Sequence, residues 1–218
     1  MSPAGRVIPL SDMTSGQLAR RAKIIEEVID LIGAVGADAV QMRDVAQRAG
    51  VALATLYRYF SSKENLLAAA LADWQKRLTR RILSGGGPPD SDPLPGVLDY
   101  LRRAQRAFNR NPAMTALMLQ MMTSTDPEVR SSIDQMERTN VELFNRLLAG
   151  VAPDAIPQVT FGLNAALSAA LAGLRAGRLT LDESLNHVEW VARALLAEVR
   201  RETLEGGHYA PKNAKSTA

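Results

Sequence analysis

The sequence predicts an all-α protein of about nine helices: three N-terminal ones, a long connector, then a bundle. Three observations predict it. Apolar residues recur at helical spacing, the alternation of a half-buried strand is missing, and Gly and Pro punctuate the chain at helix-length intervals.

Helix one is expected from Ser15 to Val35, with Ile25, Val28, Ile29 and Ile32 as its apolar stripe and Gly36 as its stop. A short helix follows from Met42 to Ala49, with Val45 and Ala46 inward, broken by Gly50. A second short helix spans Leu53 to Phe60. Ser61 and Glu64 fit a capping box, in which hydroxyl and carboxylate satisfy free amides reciprocally, and the next helix runs from Ser62 to Leu83. GGGPPDSDPLP, Gly85 to Pro95, reads as a loop and the best boundary. Helix five covers Gly96 to Arg110. Asn111-Pro112 opens helix six and Asp126-Pro127 opens helix seven, which reaches Ala149. Helix eight spans Ala155 to Ala176 and ends at Gly177. Thr180 or Asp182 caps helix nine, which reaches Glu202.

The 218 residues suffice to bury a real core. Without cysteine, disulfides, thiolate catalysis and cysteine-ligated metals are excluded, and a reducing cytoplasm is compatible. No apolar run is long enough for a membrane span, so no membrane partner is expected. Residues 1–14 read as a flexible leader rather than a secretory signal, and 204–218 as a flexible tail. The net charge is +3, unevenly spread. Residues 1–83 carry 12 Lys and Arg against 8 Asp and Glu, and the remainder 14 against 15. The positive excess therefore lies at the N-terminal end, as a polyanion partner requires.

That end holds a local concentration of aromatics in a chain that is 5% aromatic: Tyr57, Tyr59 and Phe60, with Arg58 between the tyrosines. Helix, turn at Gly50-Val51-Ala52 and helix make a helix-turn-helix candidate. Leu56 and Phe60, four apart, share one face and anchor the unit. Thr55, Arg58 and Tyr59 cannot all share that face, so Tyr57 and Tyr59 are expected to hold their hydroxyls near the surface. Outward hydroxyls and cations suit phosphate oxygens, arginine can fork onto guanine, and the small Ala52 and Ala54 let the backbone approach a groove floor.

QMRDVAQRAGVALATLYRYFSSKENLLAAAL, Gln41 to Leu71, resembles the DNA-binding signature of the TetR family of bacterial repressors. Val45-Ala46, Ala49-Gly50-Val51, Thr55-Leu56-Tyr57, Tyr59-Phe60 and Lys63 match that pattern, over roughly residues 17–71. Gln41 departs from it, since the family usually caps the second helix with Thr or Ser there. VQMRDVAQRA with TLYRYFSSK is also similar to actinobacterial members that repress sterol-catabolism genes. The resemblance implies a DNA-binding domain at 15–62 and a ligand-binding and dimerisation domain at 63–203. It implies that Gln41, Arg43, Thr55 and Arg58 face bases or adjacent phosphates, that Ala52 and Ala54 lie at the groove, and that Tyr57, Tyr59 and Lys63 clamp phosphates.

Helix six holds Met114, Met118, Met121 and Met122, half of the chain's eight methionines, and methionine suits adaptable apolar pockets. With Leu101, Phe108, Leu117, Met136 and Phe144 they are expected to line a cavity, although any one of them could equally be plain bundle core. Arg102, Arg103 and Arg106 form a basic face on helix five, read as solvated rather than ligand-binding. The dense Ala and Ser of helix eight, with Val188, Val191, Ala192, Leu195 and Leu196 of helix nine and Trp190 nearby, suit a four-helix interface between two copies, as in the family, although a lone bundle could also bury them.

The reading that follows is a homodimeric, cytoplasmic, nucleoid-associated repressor. It binds a palindromic double-stranded DNA operator and is released by a small, largely apolar effector: a lipid, steroid or acyl-CoA-like compound. No cofactor, metal or catalytic residue is expected. A non-specific architectural DNA binder is the alternative. An enzyme acting on an apolar acyl substrate fits least, since the chain has only His187 and His208 and no phosphate loop or nucleophile elbow.

Overall fold

The computed structural model describes residues 7–84 and 92–205. Within them lie nine α-helices and one 3-10 turn: α1 (Ser15–Val35), α2 (Met42–Ala49), α3 (Leu53–Tyr59), α4 (Lys63–Leu83), α5 (Leu94–Arg110), α6 (Pro112–Met121), α7 (Pro127–Leu147), α8 (Ile156–Arg175) and α9 (Leu181–Glu205). The expected leader residues 1–6, the loop residues 85–91 and the tail from 206, with His208, lie outside the described residues.

Local chemistry explains the ends. Thr14 caps α1 reciprocally with Gln17: its hydroxyl accepts the Gln17 N–H, and its own N–H donates to the Gln17 amide oxygen at 2.8 Å. α2 stops because Gly50 turns left-handed, at φ 66° and ψ 36°, which lets the Val51 N–H return to the Ala46 carbonyl at 2.9 Å. Ser62, not Ser61, caps α4: its hydroxyl accepts the Asn65 N–H at 3.0 Å, so the expected Ser61–Glu64 box is not what starts that helix. Leu94 and Pro95 belong to α5 rather than to the loop, because a proline in the first helical turn gives up no needed hydrogen bond. Thr180 caps α9, pairing with Glu183 in both directions.

Residues 7–14 correct the expected flexible leader. Leu10–Asp12 form the 3-10 turn, Met13 is buried, and the Ile8 N–H donates to the Arg58 carbonyl at 2.9 Å. Apolar Ile8 and Met13 draw this segment onto the helical head.

Two apolar clusters fill the interior. One begins with Ile24, Val28 and Ile32 of α1, passes through Leu56 and Phe60 and along Leu66, Leu67 and Leu71 of α4, and ends on Met114, Leu117, Met118 and Met121 of α6. The other joins α5, α7, α8 and α9 through Leu101, Phe144, Leu163, Val188 and Leu196. Ser184 donates to the Gln105 side-chain oxygen at 2.8 Å, a buried bond that ties α9 to α5. No helix among the described residues is long and apolar enough to cross a membrane.

Candidate nucleic-acid interface and ligand cleft

The short helix α3 is held from within. Leu56 and Phe60 are fully buried, and Phe60 sits just past the helix in extended backbone at φ −138°. That ending changes the facing of one residue. Tyr59, expected at the surface, is 5% exposed and belongs to the core. It lies three positions from Leu56 and so shares the inward face of a helix that stops before Phe60. The phosphate-clamp role expected of Tyr59 is therefore withdrawn.

The remaining residues lie outward. Gln41, Arg43, Ala52, Ala54 and Arg58 are exposed, and Thr55 and Tyr57 are half-buried. Gln41 stands at the N-cap of α2 without capping it by its side chain, which leaves the amide available. None of the ion pairs of the described residues uses Arg43, Arg48 or Arg58. Lys63, the first residue of α4, is half-buried and pinned: its Nζ donates to the Asp38 carbonyl at 2.6 Å, tying α4 to the segment before α2. An ammonium has three donors, so two remain.

A cleft of about 830 Å³ runs from this head into the bundle. Its head end is lined by Val7, Ile8, Pro9 and Leu10, by Arg21 and Ile25 of α1, and by Tyr59 and Asn65. Its bundle end is lined by Tyr100, Phe108, Met118, Ile133, Met136 and Leu167. Phe108 also meets Trp74 edge to face, with ring centroids 5.1 Å apart. Tyr100 stacks edge-on to Phe144 at 5.9 Å, and burial pushes its phenol up to about 12, against a hydrogen bond from Thr79 that lowers it.

The residues expected to line one cavity divide. Phe108, Met118, Met122 and Met136 reach the cleft, Met122 as an exposed residue at its rim. Met114, Leu117 and Met121 are buried in the cluster shared with the head and do not line the cleft. α6 is apolar around most of its circumference, so it gives up only part of its surface to a cavity. Leu101 and Phe144 belong to the second cluster. Leu101 stands seven residues from Phe108, about 10 Å along α5, which puts it at another level of the bundle. The arginines of α5 stay out of the cleft: Arg102 pairs with Glu189, and Arg103 with Asp99 at 2.9 Å.

Sequence reasoning missed Arg21 and the polar wall of α7, which includes Ser132, Gln135 and Thr139. Arg21 carried a signal: it precedes Ile24, Ile25 and Val28 by three, four and seven positions, which places it on the buried stripe of α1.

On α9, three of the five residues expected at a dimer interface are buried within the protomer, and Val191 and Leu195 are half-buried. Val188, Ala192 and Leu196 are buried against α5 and α8. What α8 and α9 leave outside is Phe161, 77% exposed, and Trp190, 72% exposed, with Ala165, Ala169 and Ala194 also exposed.

Residues 24–70 match a family model described as bacterial regulatory proteins, tetR family. The HTH-type transcriptional repressor KstR of Rhodococcus jostii is 36% identical over 140 residues, covering 64% of this chain and 65% of that one. The repressor of the same name from Mycolicibacterium smegmatis is 32% identical, covering 64% of this chain and 68% of that one. The match thus spans just under two thirds of the Rhodococcus relative's length and slightly more of the Mycolicibacterium one's. A crystal structure of a TetR transcriptional regulator from Rhodococcus sp. RHA1 shares the fold, with a TM-score of 0.72, 28% identity, and coverage of 84% of this chain and 98% of that one.

Proposed function

The chain belongs to the tetR family of bacterial regulatory proteins, and on that premise we propose that it is a cytoplasmic, ligand-responsive transcriptional repressor that binds a palindromic operator as a homodimer. The observation that carries this reading is the posture of α3: Leu56 and Phe60 lock it inward, while the exposed Arg58 and half-buried Thr55 remain available beside the bare surface of Ala52 and Ala54. In a helix-turn-helix pair that surface enters a major groove. Arg58 and Thr55 read bases there, and Gln41 and Arg43 read bases or adjacent phosphates. Tyr57 and Lys63 hold phosphates. Residues 15–62 serve as the DNA-binding part and 63–203 as the ligand-binding and dimerising part.

The dimer forms through the outward faces of α8 and α9, where two copies bury Phe161 and Trp190. Two half-sites one DNA turn apart, about 34–36 Å, then face the two α3 helices. The effector occupies the cleft against Phe108, Met118 and Met136, and is largely apolar: a lipid, steroid or acyl-CoA-like compound. Its presence acts on α4 near Leu67, Leu71, Trp74 and Leu78, and on α6, whose methionines belong to the head's own core. A coupling of about 1–3 kcal/mol between cleft and operator suffices for a strong switch.

Selection of bound duplexes from a random pool tests this, repeated with lipophilic compounds present. One enriched palindrome, lost when an effector is added, is the expected outcome. Enrichment of no sequence, with affinity that depends only on salt, would instead establish an architectural DNA binder.

A further inference from the structure

The least explained side chain near the cleft is Arg21. It is half-buried on the inward stripe of α1, and no hydrogen bond or ion pair holds it among the described residues. Asp73, the carboxylate whose charge reaches it, lines the same cleft and ion-pairs with Arg77 at 2.5 Å although that oxygen makes no hydrogen bond, and Arg77 is held in turn by Glu26 at 3.2 Å. The guanidinium instead lies over the Phe60 ring, 4.9 Å from its centroid. A guanidinium carries five N–H donors, and those of Arg21 meet solvent rather than a protein acceptor. Burial pulls the Arg21 pKa below its ordinary value, opposed only in part by Asp73. Arg21 borders the head end of the 830 Å³ cleft.

We propose that Arg21 is an anion-binding subsite for the effector. It takes the carboxylate or phosphate end of an amphipathic ligand whose apolar body lies against Met118, Ile133, Met136 and Leu167. The inference rests on the effector reading above and sharpens it, because it requires a charged end as well as an apolar body. The chemistry is complementary: an acceptor bearing negative charge satisfies the fork of N–H groups and the positive charge together. Lys76, exposed on the same cleft wall, adds to the attraction. Asn65 lines the same end.

The place of Arg21 also gives the ligand a short route to DNA. Phe60, under the guanidinium, is the residue that ends α3, and its N–H bonds the Leu56 carbonyl at 3.0 Å. Val7 to Leu10 line the same end of the cleft, and Ile8 holds the Arg58 carbonyl. An anion drawn onto Arg21 competes with the Phe60 face for the cation and is felt at the end of the recognition helix.

Three ligands of one chain length test the subsite by calorimetry on the full chain: dodecanoate, dodecyl phosphate and dodecanol. At least one anion is expected to bind about tenfold or more tighter than the alcohol, as a charge-assisted bond to a guanidinium implies. Whichever anion binds tighter identifies the end group. The preference should collapse in Arg21→Gln and persist in Arg21→Lys. Because each variant is judged by a ratio of affinities, general loosening of the head does not imitate the result. Equal affinity for all three ligands, or a preference that survives in Arg21→Gln, overturns the subsite. If dodecanol alone releases operator DNA, the subsite falls while the effector reading stands. If none of the three binds, the subsite falls, while the effector reading keeps its steroid and acyl-CoA-like candidates.

Discussion

The head and the bundle treat their surplus side chains in opposite ways. Around α2 and α3 every large apolar side chain is wholly or partly covered, and Arg43, Arg48 and Arg58 are left without carboxylate partners. In the bundle Arg102 and Arg103 of α5 and Arg193, Arg200 and Arg201 of α9 pair with Asp92, Asp99, Glu189 and Glu198, while the large rings of Phe161 and Trp190 stand in solvent. A surface with free cations and no exposed apolar patch suits a polyanion. A surface with two bare aromatics suits another protein surface. The two halves thus present different partners, although they share a continuous interior.

The largest expected break in this contrast is Phe60→Ala. It empties the centre of the head's core and should cost about 3–5 kcal/mol in denaturant unfolding, with loss of operator binding. Next is Arg58→Ala, which acts on the free-cation side alone. By fluorescence anisotropy it should weaken operator binding by about 1–3 kcal/mol and random duplex less, with the thermal midpoint unchanged. Equal losses on both duplexes would make Arg58 a phosphate contact. Thr180→Ala touches only the bundle, removing the cap of α9. It should cost about 1 kcal/mol of stability while leaving DNA affinity intact.

The finest comparison is between the two tyrosines. Tyr57→Phe deletes an outward hydroxyl and should weaken all duplexes alike, by about 1 kcal/mol. Tyr59→Phe keeps a buried ring and should leave DNA affinity as it was. Matching losses in the two variants would return Tyr59 to the interface.

Much of the fold was legible because its signals are local. The stripe from Ile25 to Ile32, with Gly36 behind it, set α1 to the residue, and Gly50 did the same for α2. Tyr59 was misread for a subtler reason. The Leu56–Phe60 spacing assumes a helix through both, whereas the helix stops at Tyr59 and turns that ring inward. The cleft was half legible. Methionine density on α6 located the region, but periodicity shows only that a residue is covered. It does not show whether another helix or an empty space covers it. Met114 and Met118 differ in that respect alone. Arg21 was overlooked because an arginine on an apolar stripe reads as a surface residue until its neighbours are in place.

The interior that runs from Ile24 through Leu71 to Met121 has a practical consequence for protein engineering. A fragment cut after the recognition helix would keep its DNA-facing residues yet lose the packing partners supplied by α4 and α6. Grafting this head onto a foreign regulator therefore means carrying α6 along, or rebuilding the surface on which its methionines rest.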